Sequence, residues 1–225
     1  MLGNYYIYDS INPLADIFVR QLGFTDENIG WLNSSYSVAA VLTLLLGGII
    51  IDRIGAKKAI AVYSFICLLG AVLTALQGSF PLMVAGRAVL GLGAESLIVA
   101  VTTGIAKWFR GKELSFAFGV NLTIARLGSF AALNSPTWAS GAFAPWKGPL
   151  LASVVFGVIC FGGAVAYTVL ENAAQRRYAL GMQGGTDKVV WGDLLRFGPS
   201  YWFVVALCVT FYSGIFPFQT FAVKF

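Results

Sequence analysis

Residues 29–58 read IGWLNSSYSVAAVLTLLLGGIIIDRIGAKK. From Ile29 to Ile51 no side chain is charged, and then Asp52, Arg53, Lys57 and Lys58 follow within seven residues. As an α-helix rising about 1.5 Å per residue, the first part is roughly 34 Å long, enough to cross the ~30 Å hydrocarbon core of a bilayer. At Ala59 a second uncharged run begins, its apolar stretch reaching about Gln77. Two apolar runs of membrane length around a short basic turn read as a transmembrane helical hairpin.

The rest of the chain repeats this arrangement. Hydropathy predicts spans at about 3–21, 29–51, 59–77, 81–106, 114–138, 148–171 and 200–223. The fold class expected is therefore all-α, a polytopic membrane helix bundle. Only 11% of the 225 residues are charged, against about 25% in a typical soluble domain. The first span is the most polar. Asp9 and Asp16 exclude a cleavable signal core, and Asn12-Pro13 is expected to interrupt its helix. Residues 172–198 form the one long polar connection, with Arg176, Arg177, Gly184, Gly185, Asp187 and Lys188.

The basic residues are unevenly placed. Three alternate loops carry Arg53, Lys57 and Lys58; Lys107, Arg110 and Lys112; and Arg176, Arg177, Lys188 and Arg196, ten of the fifteen Lys and Arg. The opposite face has Arg20 and Lys147. Excess Lys and Arg marks the cytoplasmic side, so the 172–198 linker is expected there. This placement also explains the net charge of +5 without a nucleic-acid partner, because no basic stripe with interleaved aromatics exists.

The turn after the second span has the pattern G-x-x-x-D-R-x-G-x-K-K, from Gly48 through Asp52, Arg53, Gly55, Lys57 and Lys58. Gly48 suits close approach of another helix, Asp52 stands where it can pair with Arg53 or a helix end, and Gly55 allows a tight turn. The pattern resembles the signature loop of the major facilitator superfamily, with Ala56 where a basic residue is usual. The resemblance implies a conformational latch made of Gly48, Asp52, Arg53, Gly55 and Lys57. It also implies a transporter of two six-helix halves, each built from 3+3 repeats. On that plan residues 1–171 are the first half, 172–198 the cytoplasmic linker and 199–225 the first helix of a second half. The expectation is then that the chain starts inside its gene and that five further spans follow.

A second block reads Gly86-Arg87, Gly91-Leu-Gly93-Ala94-Glu95-Ser96, Trp108-Phe109-Arg110-Gly111-Lys112-Glu113-Leu114 and Ala125-Arg126-Leu127-Gly128-Ser129. With Tyr8-Asp9 and Ile215-Phe216-Pro217-Phe218, it is similar to the domain-containing protein 1 branch of that superfamily, whose known member exports dipeptides from lysosomes. Similarity maps Glu95 and Arg126 onto the residues that grip the two charged ends of a peptide. It implies a uniporter, in a lysosomal membrane if the cell is eukaryotic and in the cell membrane if it is prokaryotic. The fifth span lacks the Gly-Pro run of drug-antiporter relatives, and Ser135-Pro136 does not supply it.

The charges support the two residues independently. A charge at the bilayer centre costs about 2.5–3.5 kcal/mol on insertion scales. Glu95 lies 12 residues before Lys107 and Arg126 lies 13 after Glu113, which places both roughly 18–20 Å from the basic face. Two readings stay open: a structural ion pair between them, or separate grips on the ammonium and carboxylate of a zwitterion. Arg suits the second through its planar fork. Arg87, about 30 Å along its helix from Lys107, is placed near the outer surface as a structural or coupling residue. Asp9, flanked by Tyr5, Tyr6 and Tyr8, is a candidate cavity residue; Tyr36, Asn121 and Asn134 are candidate polar lining. Asn33-Ser-Ser and Asn121-Leu-Thr match glycosylation patterns but fall within spans.

Covalent chemistry finds no foothold. The sequence has no His, Cys67, Cys160 and Cys208 are far apart in apolar runs, and no metal spacing or phosphate loop occurs. No cofactor and no metal are expected. The expected partners are a small-molecule substrate and the lipid bilayer, with room for an accessory membrane subunit. An organic-anion carrier and a non-transporting membrane scaffold remain as alternatives.

Overall fold

In lipid no water serves the backbone, so each apolar run must satisfy its own N–H and C=O groups by coiling into helix. The computed structural model describes residues 1–109, 111–177 and 198–221, and only the backbone of Leu45 and 219–221. Arg110 and most of the expected linker lie outside the described residues. Among these residues there is no strand. The elements are α1 (Leu2–Asp9), α2 (Ala15–Ile17), α3 (Asp26–Ile54), α4 (Ala56–Leu76), α5 (Phe80–Trp108), α6 (Lys112–Leu133), α7 (Ser135–Trp138), α8 (Lys147–Arg177) and α9 (Pro199–Phe221). Helices α4, α5, α6, α8 and α9 are long and apolar enough to cross a membrane. α3 makes a sixth if its two arms, Asp26–Leu44 and Leu46–Ile54, bent by 51°, count as one span.

The first expected span is not one helix. After α1 the chain passes through a 3-10 turn at Asn12–Leu14, α2, and a π turn at Phe18–Leu22. Pro13 has no N–H to give the preceding turn. Side chains stand in: Ser10 Oγ donates to the Ile7 carbonyl at 2.8 Å and Asn12 Nδ2 to Asp9 Oδ1 at 3.3 Å. At the other extreme α8 runs to Arg177, six residues past the sequence boundary at 171. Glu171-Asn-Ala-Ala-Gln-Arg-Arg is polar but helix-compatible, and hydropathy reports the solvent around a helix, not the end of its hydrogen-bond ladder. α3 begins with a capping box, Thr25 Oγ1 accepting from Asn28 N and Asn28 Oδ1 accepting from Thr25 N, both at 3.2 Å.

The chain divides into two units, Met1–Tyr178 and Ala179–Phe225; α9 belongs to the second. In the first, α5 packs between α3 and α4, α4 also packs on α8, and α1 lies against α6 and α8. Tyr36, Ala40, Tyr63, Cys67, Leu90, Ala94 and Leu97 form the centre of its core.

The glycines that permit this packing are specific. A methyl at Gly91 would overlap the backbone carbonyl of Tyr36, so α3 and α5 touch main chain to main chain there. By contrast, a methyl at Gly48 meets nothing within 4 Å among the described residues, whereas the neighbouring Gly47 sits against Ser96. One residue is about 100° around a helix, enough to move the contact off Gly48. Gly91→Val in the complete protein is expected to reduce the monodisperse peak in detergent chromatography to a small fraction of wild type, because overpacking costs about 1–3 kcal/mol or more against fixed backbone. Gly48→Ala should leave that peak unchanged. Equal peaks for both variants would contradict the packing.

Candidate functional site

The site is built where α1, α3, α5 and α6 meet. Glu95 is half-buried on α5. Tyr36, 5% exposed on α3, donates its hydroxyl to Glu95 Oε1 at 2.8 Å. Glu95 Oε2 accepts no hydrogen bond among the described residues. The Tyr8 ring of α1 lies 4.6 Å from the Tyr36 ring, tilted by 52°. Beneath both lies Arg87, which is 1% exposed. Its guanidinium is 5.5 Å from the Tyr8 ring centre and 5.2 Å from that of Tyr36. It donates to the Tyr8 carbonyl at 3.1 Å, the Leu32 carbonyl at 3.4 Å and Asn33 Oδ1 at 3.5 Å.

Arg126 is exposed on α6, its guanidinium 5.9 Å from the ring centre of Tyr5 on α1. The face of α6 that meets α1 carries Gly128, where a methyl would overlap the Leu2 carbonyl. Glu95 and Arg126 form no ion pair with each other; elsewhere among the described residues an ion pair joins Lys107 and Glu171 through a short contact. Thus the structural pairing left open by the sequence is not made. Asp9, 3% exposed at the end of α1, has Ser129 beside it and lies within electrostatic reach of Arg87 and Arg126.

Asn121 is not brought to this group. Five residues before Arg126, it stands about 140° around α6, and it makes no hydrogen bond among the described residues. Neighbouring residues share a helix face at spacings of three or four, not five. Asn33 and Asn121 both lie inside helices, α3 and α6. Asn134 caps α6 on itself, donating to the Phe130 carbonyl at 2.9 Å.

At the basic end, Gly55 has φ +83° and turns the chain from α3 into α4. Asp52 and Arg53 are exposed and do not pair with each other. Lys57 reaches α8, donating to Asn172 Oδ1 at 2.7 Å and Gln175 Oε1 at 3.3 Å. The Lys107–Glu171 pair, with Glu171 2% exposed, ties α5 to α8 nearby. Neither residue stood out in the sequence, because each closes an apolar run where a charge is ordinary.

The Major Facilitator Superfamily profile matches residues 1–224. The chain belongs to this superfamily. Among its relatives, the lysosomal dipeptide transporter MFSD1 of Danio rerio is 32% identical over 96% of this chain and 50% of its own length. The Homo sapiens protein of the same name is 31% identical over 96% and 49%. The probable sulfoacetate transporter SauU of Cupriavidus necator is 30% identical over 70% of this chain and 36% of its own. The chain spans about half the length of the curated relatives it matches. Superfamily membership and the apolar helices make it a multi-pass membrane protein.

Chemically, the group offers a carboxylate with one oxygen tethered and one open, and a guanidinium not neutralised by that carboxylate. Such a pair can hold a cation and an anion separately.

Proposed function

We propose that the complete protein carries small zwitterions, dipeptides foremost, across a membrane by alternating access. Glu95 takes the ammonium, Arg126 the carboxylate, and Asp9 and Tyr36 line the approach. The observation that carries this reading is that Glu95 and Arg126, on consecutive helices, leave each other unpaired while each rests against a tyrosine. Two charges within membrane-spanning helices that do not neutralise each other are costly unless a ligand uses them. The dipeptide transporters among the relatives support the substrate class.

The rest of the reading follows from the same plan. Residues 1–171 form the first six-helix half, 172–198 the cytoplasmic linker, and 199–225 contribute the first helix of a second half. The basic turn Gly48–Lys57 acts as latch. Transport is passive, no covalent step occurs, and the membrane is lysosomal in a eukaryotic cell. A second reading, an organic-anion carrier in which Arg126 binds and Glu95 merely neutralises, draws on the sulfoacetate transporter among the relatives.

Counterflow in proteoliposomes separates the two. The zwitterion reading expects an internal dipeptide to drive labelled dipeptide uptake, and small sulfonates or monocarboxylates to drive almost none. In Glu95→Gln the dipeptide response should fall about tenfold or more, the worth of one hydrogen bond to a charge. Efficient counterflow by the anions, unaffected in Glu95→Gln, would establish the second reading instead.

A further inference from the structure

Arg87 is a charged side chain buried to 1% exposure with no carboxylate in ion-pair contact among the described residues, the buried Asp9 lying only within electrostatic reach. Burying an unpaired charge is expensive, so the surroundings that accept it are informative. Two backbone carbonyls and the Asn33 amide oxygen take its donors. The remaining contacts are aromatic: the guanidinium sits within cation–π distance of Tyr8 and Tyr36 together. Those rings are themselves in contact at 4.6 Å, and the hydroxyl of Tyr36 ends on Glu95 Oε1. A rigid chain therefore runs from Arg87 through one ring to the acid.

We infer that Arg87 is a positioning residue for Glu95: it clamps the Tyr8 and Tyr36 rings, so that the Tyr36 hydroxyl holds one carboxylate oxygen and leaves the other open to an ammonium group. Arg87 does not touch the substrate. Arg87 and Glu95 are eight residues apart on α5, more than two turns, so the guanidinium acts on the acid through Tyr36. The fork is what the geometry requires. Its Nη1 and Nε are fixed to carbonyls on α1 and α3, which leaves the flat face for the rings. A lysine would keep the charge but present a point, not a plate. The consequence is that an alteration of Arg87 changes affinity for the cationic end of a substrate and not the rate of the loaded carrier.

This inference rests on the proposed role of Glu95, and the experiment keeps the two apart. KM and Vmax for a dipeptide are measured in proteoliposomes of the complete protein carrying Glu95→Gln, Tyr36→Phe, Arg87→Lys, Tyr8→Leu, and Tyr36→Phe with Arg87→Lys. A fluorotyrosine placed at position 36 supplies a 19F resonance in the substrate-free protein. Arg87→Lys and Tyr36→Phe should each raise KM roughly tenfold with Vmax near wild type, the effect of loosening one hydrogen bond to a charge. The double variant should be no worse than Tyr36→Phe alone, and Arg87→Lys should shift or broaden the 19F resonance. Tyr8→Leu, which keeps Arg87 in place, should act in the same direction and serves if Arg87→Lys does not fold. An unchanged KM in Arg87→Lys and Tyr8→Leu, or KM effects that multiply in the double variant, would overturn the inference. If Glu95→Gln itself leaves KM unchanged, the role of Glu95 is what fails. The 19F resonance then decides the clamp: movement upholds it and an unmoved line refutes it.

Discussion

Arg126→Ala should abolish saturable dipeptide uptake by the complete protein while its amount in the membrane stays at the wild-type level. The two halves of this expectation come from different observations. Arg126 is exposed, and its recorded contact is the Tyr5 ring at 5.9 Å. Removing an exposed cation–π contact costs only about 0.5–1 kcal/mol, and the buried Asp9 near Arg126 keeps Ser129 and Arg87 beside it, so folding survives. On the proposed reading, uptake loses a two-pronged hold on a carboxylate. Each hydrogen bond to a charged group is worth about 1.5–3 kcal/mol, so two of them amount to a hundredfold or more. Arg126→Lys keeps the charge without the fork and should recover only part of the activity. Uptake at the wild-type rate in Arg126→Ala would exclude the residue from the site.

Lys107→Met should be the most damaging substitution at the basic end of the bundle. Glu171 is 2% exposed, and its Oε1 accepts from both Lys107 and Gln175. Its other oxygen accepts no hydrogen bond among the described residues, and Lys107 is the cation bonded to the carboxylate, with the Tyr167 hydroxyl beside it. Removing one member of a buried pair typically costs about 3–5 kcal/mol, whereas replacing both by apolar groups is often neutral. Lys107→Met alone should therefore lower the Tm in detergent by several degrees. Lys107→Met with Glu171→Leu should restore most of it. A single variant as stable as wild type would mean that the pair holds nothing together. Because Lys57 reaches Asn172 and Gln175, one and four residues beyond Glu171 on α8, the pair also underlies the anchorage of the turn after α3.

What the sequence disclosed depended on which physical rule applied. Lipid leaves the backbone one solution, so Ile29–Ile51 and the other uncharged runs could be read as helices with little freedom to be wrong. The break at Asn12-Pro13 was legible for the same reason, since a missing N–H is a property of the residue itself. The end of α8 was not. Hydropathy stops at the bilayer surface, while the helix continues through Arg177 on hydrogen bonds that polarity does not register. Gly47 and Gly48 differ by a rotation of α3 that no motif encodes, so the contact of Gly47 with Ser96 was not legible. Depth along a helix placed Glu95 and Arg126 at one height, but depth says nothing about azimuth. That is why the sequence could not say which way Asn121 points around α6, nor that Tyr8 and Tyr36 enclose Arg87. The hydrogen bond between Tyr36 and Glu95 joins residues 59 apart in sequence, and only the packing of α3 on α5 could reveal it.

The central claim is that Glu95 and Arg126 receive opposite ends of one bipolar solute. Inhibition of uptake by a free dipeptide, its N-acetylated form and its C-terminal amide, measured on wild type, Glu95→Gln and Arg126→Ala, tests it most directly. Wild type should bind each blocked form roughly tenfold to a hundredfold more weakly than the free one. Glu95→Gln should no longer distinguish the acetylated form from the free dipeptide, and Arg126→Ala should no longer distinguish the amide. If both variants still discriminate against both blocked forms as wild type does, the two charges do not hold the two ends.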